Sequence, residues 1–352
     1  MNIPLLVTFS PAITAFVIGI LITPLVTHFL YKHKVWKKQG GKIALNGQTA
    51  EVFNQLKGEG ETKTPRMGGI IIWGSVLLTV GLMYALGILF PETFLSQLNF
   101  LSRSQTLIPT TALLIGALIG FLNDFYDVKH GGKGLSLKVR LLLITALSGF
   151  LGWWFYSKLG VSTINIPFDG TLSLGILIIP FFIFLTISLY ASGVIDGIDG
   201  LSGGVFASVF CAYTGIALVQ EQYQLAAFSS TVAGAILAFL WFNIPPARFW
   251  MTETGSMALT LSLATIVFMT DALGDGHGIS LLLIAGLPLV ATVLSNIIQM
   301  TYRKATGKKF FHIAPLHHHF EALGWPSYKV TMRYWIISIV CALISVAIAS
   351  VA

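Results

Sequence analysis

Charge is the scarcest ingredient of this chain. Only 10% of its 352 residues are Asp, Glu, Lys or Arg, against roughly 25% in an ordinary soluble domain. Hydrophobic residues make up 55%, so a water-facing surface cannot be assembled and the soluble fold classes are excluded. Cysteine is nearly absent. Cys211 and Cys341 both sit in apolar runs, which removes a disulfide framework and a cysteine metal site. A formal net charge of +7 would suit nucleic acid only if the cations formed a patch on a water-facing domain. Where they fall decides the matter.

What the chain does contain is a series of ten apolar runs, at 5–30, 67–90, 107–122, 139–156, 172–192, 201–219, 225–242, 256–270, 279–300 and 334–351. A hydrocarbon core of ~30 Å takes ~20 helical residues to cross. The predicted fold class is therefore all-α: a polytopic integral membrane protein of about ten transmembrane helices, forming a single domain over 1–352. The first run lacks a basic n-region and a small-residue cleavage site and contains Pro11 and Pro24, so it reads as a retained span. Ten spans put both termini on one side and sort the loops into two sets. The loops 31–66, 123–140, 193–200, 243–255 and 301–333 hold 19 of the 21 basic residues, and the other set holds Arg103 and Lys158. Basic loops stay in the cytoplasm, which predicts that these five loops face inward and both termini outward. The net charge is thus a topology signal. Nucleic acid loses its support as a partner, and membrane lipids and anionic substrates remain.

Acidic residues number 14, few enough to be read singly. Asp124 and Asp127 lie at the inner end of the third run in Phe121-Leu-Asn-Asp-Phe-Tyr-Asp127. Asp196 and Asp199 lie in Gly193-Val-Ile-Asp-Gly-Ile-Asp-Gly-Leu201, and Glu253 lies in Trp250-Met-Thr-Glu-Thr-Gly-Ser256. All five fall at one membrane boundary. Carboxylates beside hydrocarbon are costly unless paired, hydrated or bound to a cation, so several from separate segments suggest one shared charge. Mg²⁺ suits it, since it takes hard oxygen ligands and keeps water and substrate phosphate in its shell. The spacing of Asp196 and Asp199 would put both on one helical face. The blander readings are helix-capping aspartates in a solvated loop, Asp127 paired with Lys129, and Glu253 as a first-turn acid favoured by the helix dipole.

The other dense segment is Phe310-Phe-His-Ile-Ala-Pro-Leu-His-His-His-Phe320. Three successive histidines cannot all point one way, and zinc needs ligands on a common face. A phosphate or pyrophosphate contact through imidazole N–H groups fits better, with Arg303, Lys304, Lys308 and Lys309 preceding it; a solvated polar loop is the alternative.

Together these stretches resemble the phospho-MurNAc-pentapeptide transferase family, within the polyprenyl-phosphate N-acetylhexosamine-1-phosphate transferase superfamily. The matching segments are Thr64-Pro-Arg-Met-Gly-Gly69, Phe121-Leu-Asn-Asp124, Asp196-Gly-Ile-Asp-Gly-Leu201, Trp241-Phe-Asn-Ile-Pro-Pro-Ala247, Glu253-Thr-Gly-Ser256, Ala314-Pro-Leu-His-His-His-Phe-Glu321 and Arg333-Tyr-Trp-Ile-Ile-Ser338. The resemblance spans nearly the whole chain, and the histidine motif is its most specific part. It implies a transferase of the bacterial plasma membrane that moves phospho-MurNAc-pentapeptide from UDP-MurNAc-pentapeptide to undecaprenyl phosphate. The products are lipid I, for peptidoglycan synthesis, and UMP, and the reaction uses Mg²⁺. A homodimer is also implied. By position it makes Asp124, Asp196, Asp199 and Glu253 catalytic, with Asp196, Asp199 and Glu253 holding the metal. It puts Asn123, Arg66, Asn243, Trp250, His317, His318 and His319 in substrate binding, Trp250 by stacking on uracil. The chain departs from the family's usual residues at Asn123 and Glu253 (each usually Asp), Gly193 (Asn), Arg66 (Thr) and Thr252 (Gly).

Asn123 bears on mechanism, because an amide cannot take up a proton at neutral pH. A phosphate monoester has a second pKa near 6, so the lipid phosphate is largely dianionic without a base, and direct attack is the expected route. The rival readings are a sister enzyme that transfers GlcNAc-1-phosphate, a catalytically impaired scaffold, and a lipid transporter.

Overall fold

The computed structural model describes residues 3–37, 62–131, 134–271, 273–274 and 276–352. Residues 38–61 of the 31–66 loop, and Gly132 and Lys133 of the 123–140 loop, lie outside the described residues. The helices are α1 (Ile3–Lys32), α2 (Gly69–Leu89), α3 (Leu107–Lys129), α4 (Leu137–Leu159), α5 (Ile178–Ser192), α6 (Leu201–Val219), α7 (Tyr223–Asn243), α8 (Thr252–Met269), α9 (Gly278–Ala285), α10 (Leu287–Thr306), α11 (Leu316–Ala322) and α12 (Ser327–Ala349).

Among the described residues, nine helices are long and apolar enough to cross a membrane. The chain is a multi-pass, all-α membrane protein. The expected span 279–300 is not one rod: α9 and α10 meet at Gly286 and bend by 74°. Pro288, in the first turn of α10, has no N–H with which to continue the ladder of α9.

Polarity and packing sort the helices into a centre and a rim. α6, α7 and α8 are buried along most of their length, whereas α1, α4 and α12 turn most of theirs outward. On α1, Leu21 is 67% and Leu25 73% exposed, which hydrocarbon tolerates because lipid tails are as apolar as leucine. α8 is the extreme case. Every one of its residues except Glu253 is buried. Small residues allow the close approach this demands: a methyl group on Gly120 of α3 would stand 2.0 Å from the Glu253 carbonyl oxygen.

The fifth run does not begin as helix at 172. Residues 163–173 form an antiparallel hairpin, β1 (Thr163–Ile166) and β2 (Gly170–Ser173), with Thr163 opposite Ser173 and Ile166 opposite Gly170; α5 starts only at Ile178. The β-branched Thr-Ile-Asn-Ile stretch favours a strand. Asp271, just past α8, pins the hairpin there. Its Oδ1 accepts the Asn165 N–H at 3.0 Å and its Oδ2 the Ile279 N–H at 3.0 Å. Burial pushes this carboxyl up to about 6, although both N–H donors pull the other way.

Candidate active site

The site lies at the opposite end of α8. Its first residue, Thr252, holds a left-handed φ of 54°, a conformation that places its N–H and its hydroxyl toward different partners. The Thr252 N–H donates to Asp196 Oδ2 at 2.8 Å, and its Oγ1 donates to Asp124 Oδ2 at 2.5 Å. Thr254 adds its own N–H and hydroxyl to the same Asp124 oxygen, at 2.8 and 2.6 Å. Met67 N–H closes the knot from the segment before α2, donating to Thr252 Oγ1 at 3.1 Å. Three parts of the chain thus meet at one turn. Asp124 is fully buried and tolerates it because one of its oxygens takes three donors.

Glu253 projects from the same turn toward Arg140 of α4, with Oε1 2.5 Å from a guanidinium nitrogen. It sits in the field of two like charges, Asp124 and Asp196, and of two opposite ones, Arg140 and Arg66. Arg66 also reaches Asp127 at 3.3 Å. Asp127 therefore pairs with Arg66, not with Lys129, whose ammonium stands over the Phe125 ring. Asn123 Oδ1 accepts the Leu135 N–H at 3.0 Å, and its Nδ2 donates to Asp124 Oδ1 at 3.3 Å.

The Asp196–Asp199 segment is not α-helical. A short 3-10 turn, Gly193–Ile195, leads into it, so the two carboxylates do not share a helical face. Asp196 takes the Ser202 hydroxyl at 2.6 Å as well as Thr252. Asp199 turns to the 244–251 loop, accepting the Ala247 N–H and the Trp250 indole N–H, each at 3.1 Å. Asn243 ties that loop down: its Oδ1 accepts the Gly200 N–H at 3.0 Å and its Nδ2 donates to the Phe249 carbonyl at 2.8 Å. From α12, Thr331 and Trp335 donate to the carbonyls of Asp199 and Gly200, at 3.1 and 3.0 Å.

The histidines divide as their spacing requires. His317 and His318 are buried on α11 and stand against the Asp196 segment, where a methyl group on Gly197 would lie 2.8 Å from His317 Nε2 and 2.7 Å from His318 Nε2. His318 Nδ1 is 2.6 Å from Glu321 Oε2, and the Ser327 hydroxyl donates to Glu321 Oε1 at 2.5 Å. A carboxylate on one ring nitrogen leaves the other to face the site. His319 turns away and stacks on His312 with ring centres 5.5 Å apart. Burial and the neighbouring His312 lower its pKa.

The structure therefore gathers Asp124, Asp196 and Glu253 on one turn, ties Asp199 and Asn243 to the Trp250 loop, and brings His317 and His318 against Gly197. It leaves His319 apart. Among the described residues no three His, Cys, Asp or Glu side chains are arranged to hold one ion. Thr252, Thr254, Ser202, Arg140 and Glu321 are participants to which sequence reasoning assigned no role. Arg140 had a signal: it is an ionisable residue within an apolar run.

A sequence profile described as glycosyl transferase family 4 matches residues 106–271, the stretch that holds Asp124 through Asp271. Over nearly its full length the chain is similar to phospho-N-acetylmuramoyl-pentapeptide-transferase of Geobacillus sp. (strain WCH70), 34% identical over 95% of both chains. It is similar to the protein of that name from Anoxybacillus flavithermus (strain DSM 21510 / WK1), 32% identical over 94% of both. The Clostridioides difficile (strain 630) protein is 33% identical over 95% of both. With a third of its residues shared along almost the entire length of these proteins, and its acidic turn inside the matched profile, the chain belongs to the phospho-N-acetylmuramoyl-pentapeptide transferase family.

Proposed function

We propose that this protein transfers phospho-MurNAc-pentapeptide from UDP-MurNAc-pentapeptide to undecaprenyl phosphate, giving lipid I and UMP. The observation that carries the reading is the meeting of Asp124, Asp196 and Glu253, from three separate segments, on the Thr252–Thr254 turn at one end of a membrane bundle. Such a place serves one substrate from water and another held in the leaflet. We read this end as cytoplasmic, from the 19 to 2 division of basic residues.

In the reaction, an oxygen of the lipid phosphate attacks the sugar-bearing phosphorus of the donor. A new P–O bond forms, the bond from that phosphorus to the bridging oxygen breaks, and UMP leaves with the electron pair. No proton need be removed from a dianionic phosphate, so catalysis rests on alignment and charge neutralisation.

A divalent cation fits part of the expected set. Asp196 and Glu253 offer hard oxygens in one another's field, and two carboxylates are what Mg²⁺ takes from a protein when phosphates complete its shell. Asp199 is turned to the 244–251 loop, where its two oxygens accept the Ala247 and Trp250 N–H groups, so we assign it to orienting Trp250. Bound Mg²⁺ would neutralise charge on the phosphates. Arg66 and Arg140 hold the acids apart and supply further positive charge. Trp250, with its indole N–H fixed by Asp199, presents a ring for uracil, and the outward nitrogens of His317 and His318 face the donor phosphates.

The test is UMP release by purified protein with undecaprenyl phosphate and Mg²⁺, given either UDP-MurNAc-pentapeptide or UDP-GlcNAc. Turnover of the first is expected. Turnover of the second alone would move the protein to the GlcNAc-1-phosphate branch, and turnover of neither would remove the enzymatic reading.

A further inference from the structure

The loop whose Ala247 and Trp250 hold Asp199 also sends Arg248 into a cleft of about 440 Å³ between α1 and α7, lined by Thr23, Thr27, His28, Lys32 and Phe242 among others. No acidic residue is among its described lining residues. Lys32 and Arg248 are both exposed, and neither joins an ion pair among the described residues. Arg248 is held ready at both ends. Its carbonyl accepts the Tyr31 hydroxyl at 3.0 Å, and its guanidinium lies 5.6 Å from the centre of the Phe242 ring. Thr27 Oγ1 is buried in the cleft wall without a hydrogen-bond partner among the described residues.

Beyond this basic end the surface becomes apolar and stays so. Leu25 and Leu21 on α1 are 73% and 67% exposed, and Trp241 on α7 is 66% exposed. Trp241 directly precedes the cleft-lining Phe242 in sequence, and an exposed tryptophan near the end of a span marks the level where hydrocarbon gives way to headgroups. A free anion would use the cations and leave the apolar strip idle, whereas a molecule with an anionic head and acyl chains uses both. We propose that the cleft binds the phosphate headgroup of an anionic phospholipid, with Lys32 and Arg248 on its oxygens, Thr27 donating a hydroxyl, and the acyl chains lying along α1. Asp124, Asp196 and Glu253 do not line the cleft, so this lipid is a bystander and not the acceptor. Its headgroup immobilises Arg248, and hence braces the loop that positions Asp199.

The experiment is native mass spectrometry of the purified, delipidated full chain titrated with phosphatidylglycerol or phosphatidylcholine. Phosphatidylglycerol should be retained preferentially. Each cation near anionic lipid is worth about fivefold in affinity, so Lys32→Gln and Arg248→Gln should each reduce the preference by about that factor. Lys138→Gln, which alters an exposed cation outside the cleft, should leave it intact. Millimolar inorganic phosphate should not displace the lipid. Equal retention of both lipids, an equal effect of the Lys138 variant, or displacement by phosphate would each overturn the proposal. Lys32→Gln guards against misfolding of the loop variant, because Lys32 lies on the last turn of α1.

Discussion

Asp124 and Thr252 stand 128 residues apart in sequence and share a hydrogen bond of 2.5 Å. The bond joins the end of α3 to the start of α8, and the same threonine reaches Asp196 through its N–H. One residue thus spaces two acids that would otherwise repel each other. Its left-handed backbone is what aims the two donors apart.

Two substitutions at Thr252 separate its hydroxyl from its backbone. Alanine and glycine both remove the acceptor of the Met67 N–H and a donor to Asp124, at about 1–3 kcal/mol. Glycine alone also relieves the left-handed φ, worth about 1–2 kcal/mol. Thermal unfolding in detergent should therefore rank wild type above Thr252→Gly and Thr252→Gly above Thr252→Ala. Equal stability of the two variants would mean that the backbone there is not left-handed.

Arg140 and Glu253 face each other across α4 and α8, each less than a third exposed. Glu253→Gln should raise the Mg²⁺ concentration for half-maximal UMP release by ~10-fold or more. In Arg140→Gln the freed carboxylate should bind Mg²⁺ at least as tightly while the rate falls. A half-maximal concentration unmoved by Glu253→Gln would exclude Glu253 as a ligand.

The acid limb of the rate profile should follow the lipid phosphate, at roughly pH 6 before any shift by metal. Asn123→Asp should then change the rate only modestly. It should also lower stability, because it sets a carboxylate against Asp124 where an amide now donates. A rise in rate of ~10² or more, the scale of general-base catalysis, would show that a base had been missing.

A methyl group at Gly197 would meet two imidazole nitrogens at under 3 Å. Gly197→Ala should push His317 and His318 off the Asp196 segment and lower kcat/KM by ~10-fold or more, on the scale of losing a charge-stabilising donor. Unfolding should shift down as well, since the displaced His317 and His318 are buried, so kcat/KM is compared at a temperature where the variant stays folded. Unchanged kinetics would detach the histidines from the reaction.

Asp271 makes a pH prediction far from the site. Its folded pKa, about 6, lies above the unfolded value of 3.8. A carboxyl raised on folding contributes stability while protonated and loses it as pH climbs from 3.8 through about 6. The loss is at most about 3 kcal/mol. Unfolding temperatures measured from pH 4 to 7 should fall less steeply for Asp271→Asn than for wild type. Parallel curves would refute the assignment.

Much of this was legible in the sequence because a membrane imposes a length on every apolar run and leaves few places for charge. The helices emerged from that constraint, and so did the acids at one boundary. What stayed hidden depends on direction instead of position. The Asp196–Asp199 spacing fits one helical face, but nothing local forces a helix, and the turn sends Asp199 to Trp250. Nothing near Asp127 distinguishes Lys129 from Arg66, which is distant in sequence. The 74° break at Gly286 sits inside a run whose hydrophobicity is continuous, and the hairpin at 163–173 is too short for its alternation to stand out.

α8 has the lowest mean hydropathy of the nine spans, 1.2, and the largest buried share. A segment so weakly apolar has little drive to leave the translocon for lipid by itself. It enters a space already walled by protein, where its threonines and serines meet helix backbones instead of hydrocarbon. α2, α3 and α5 precede it in synthesis and supply those walls. The turn that gathers Asp124, Asp196 and Glu253 is therefore made late in biogenesis, by partitioning into a half-built bundle.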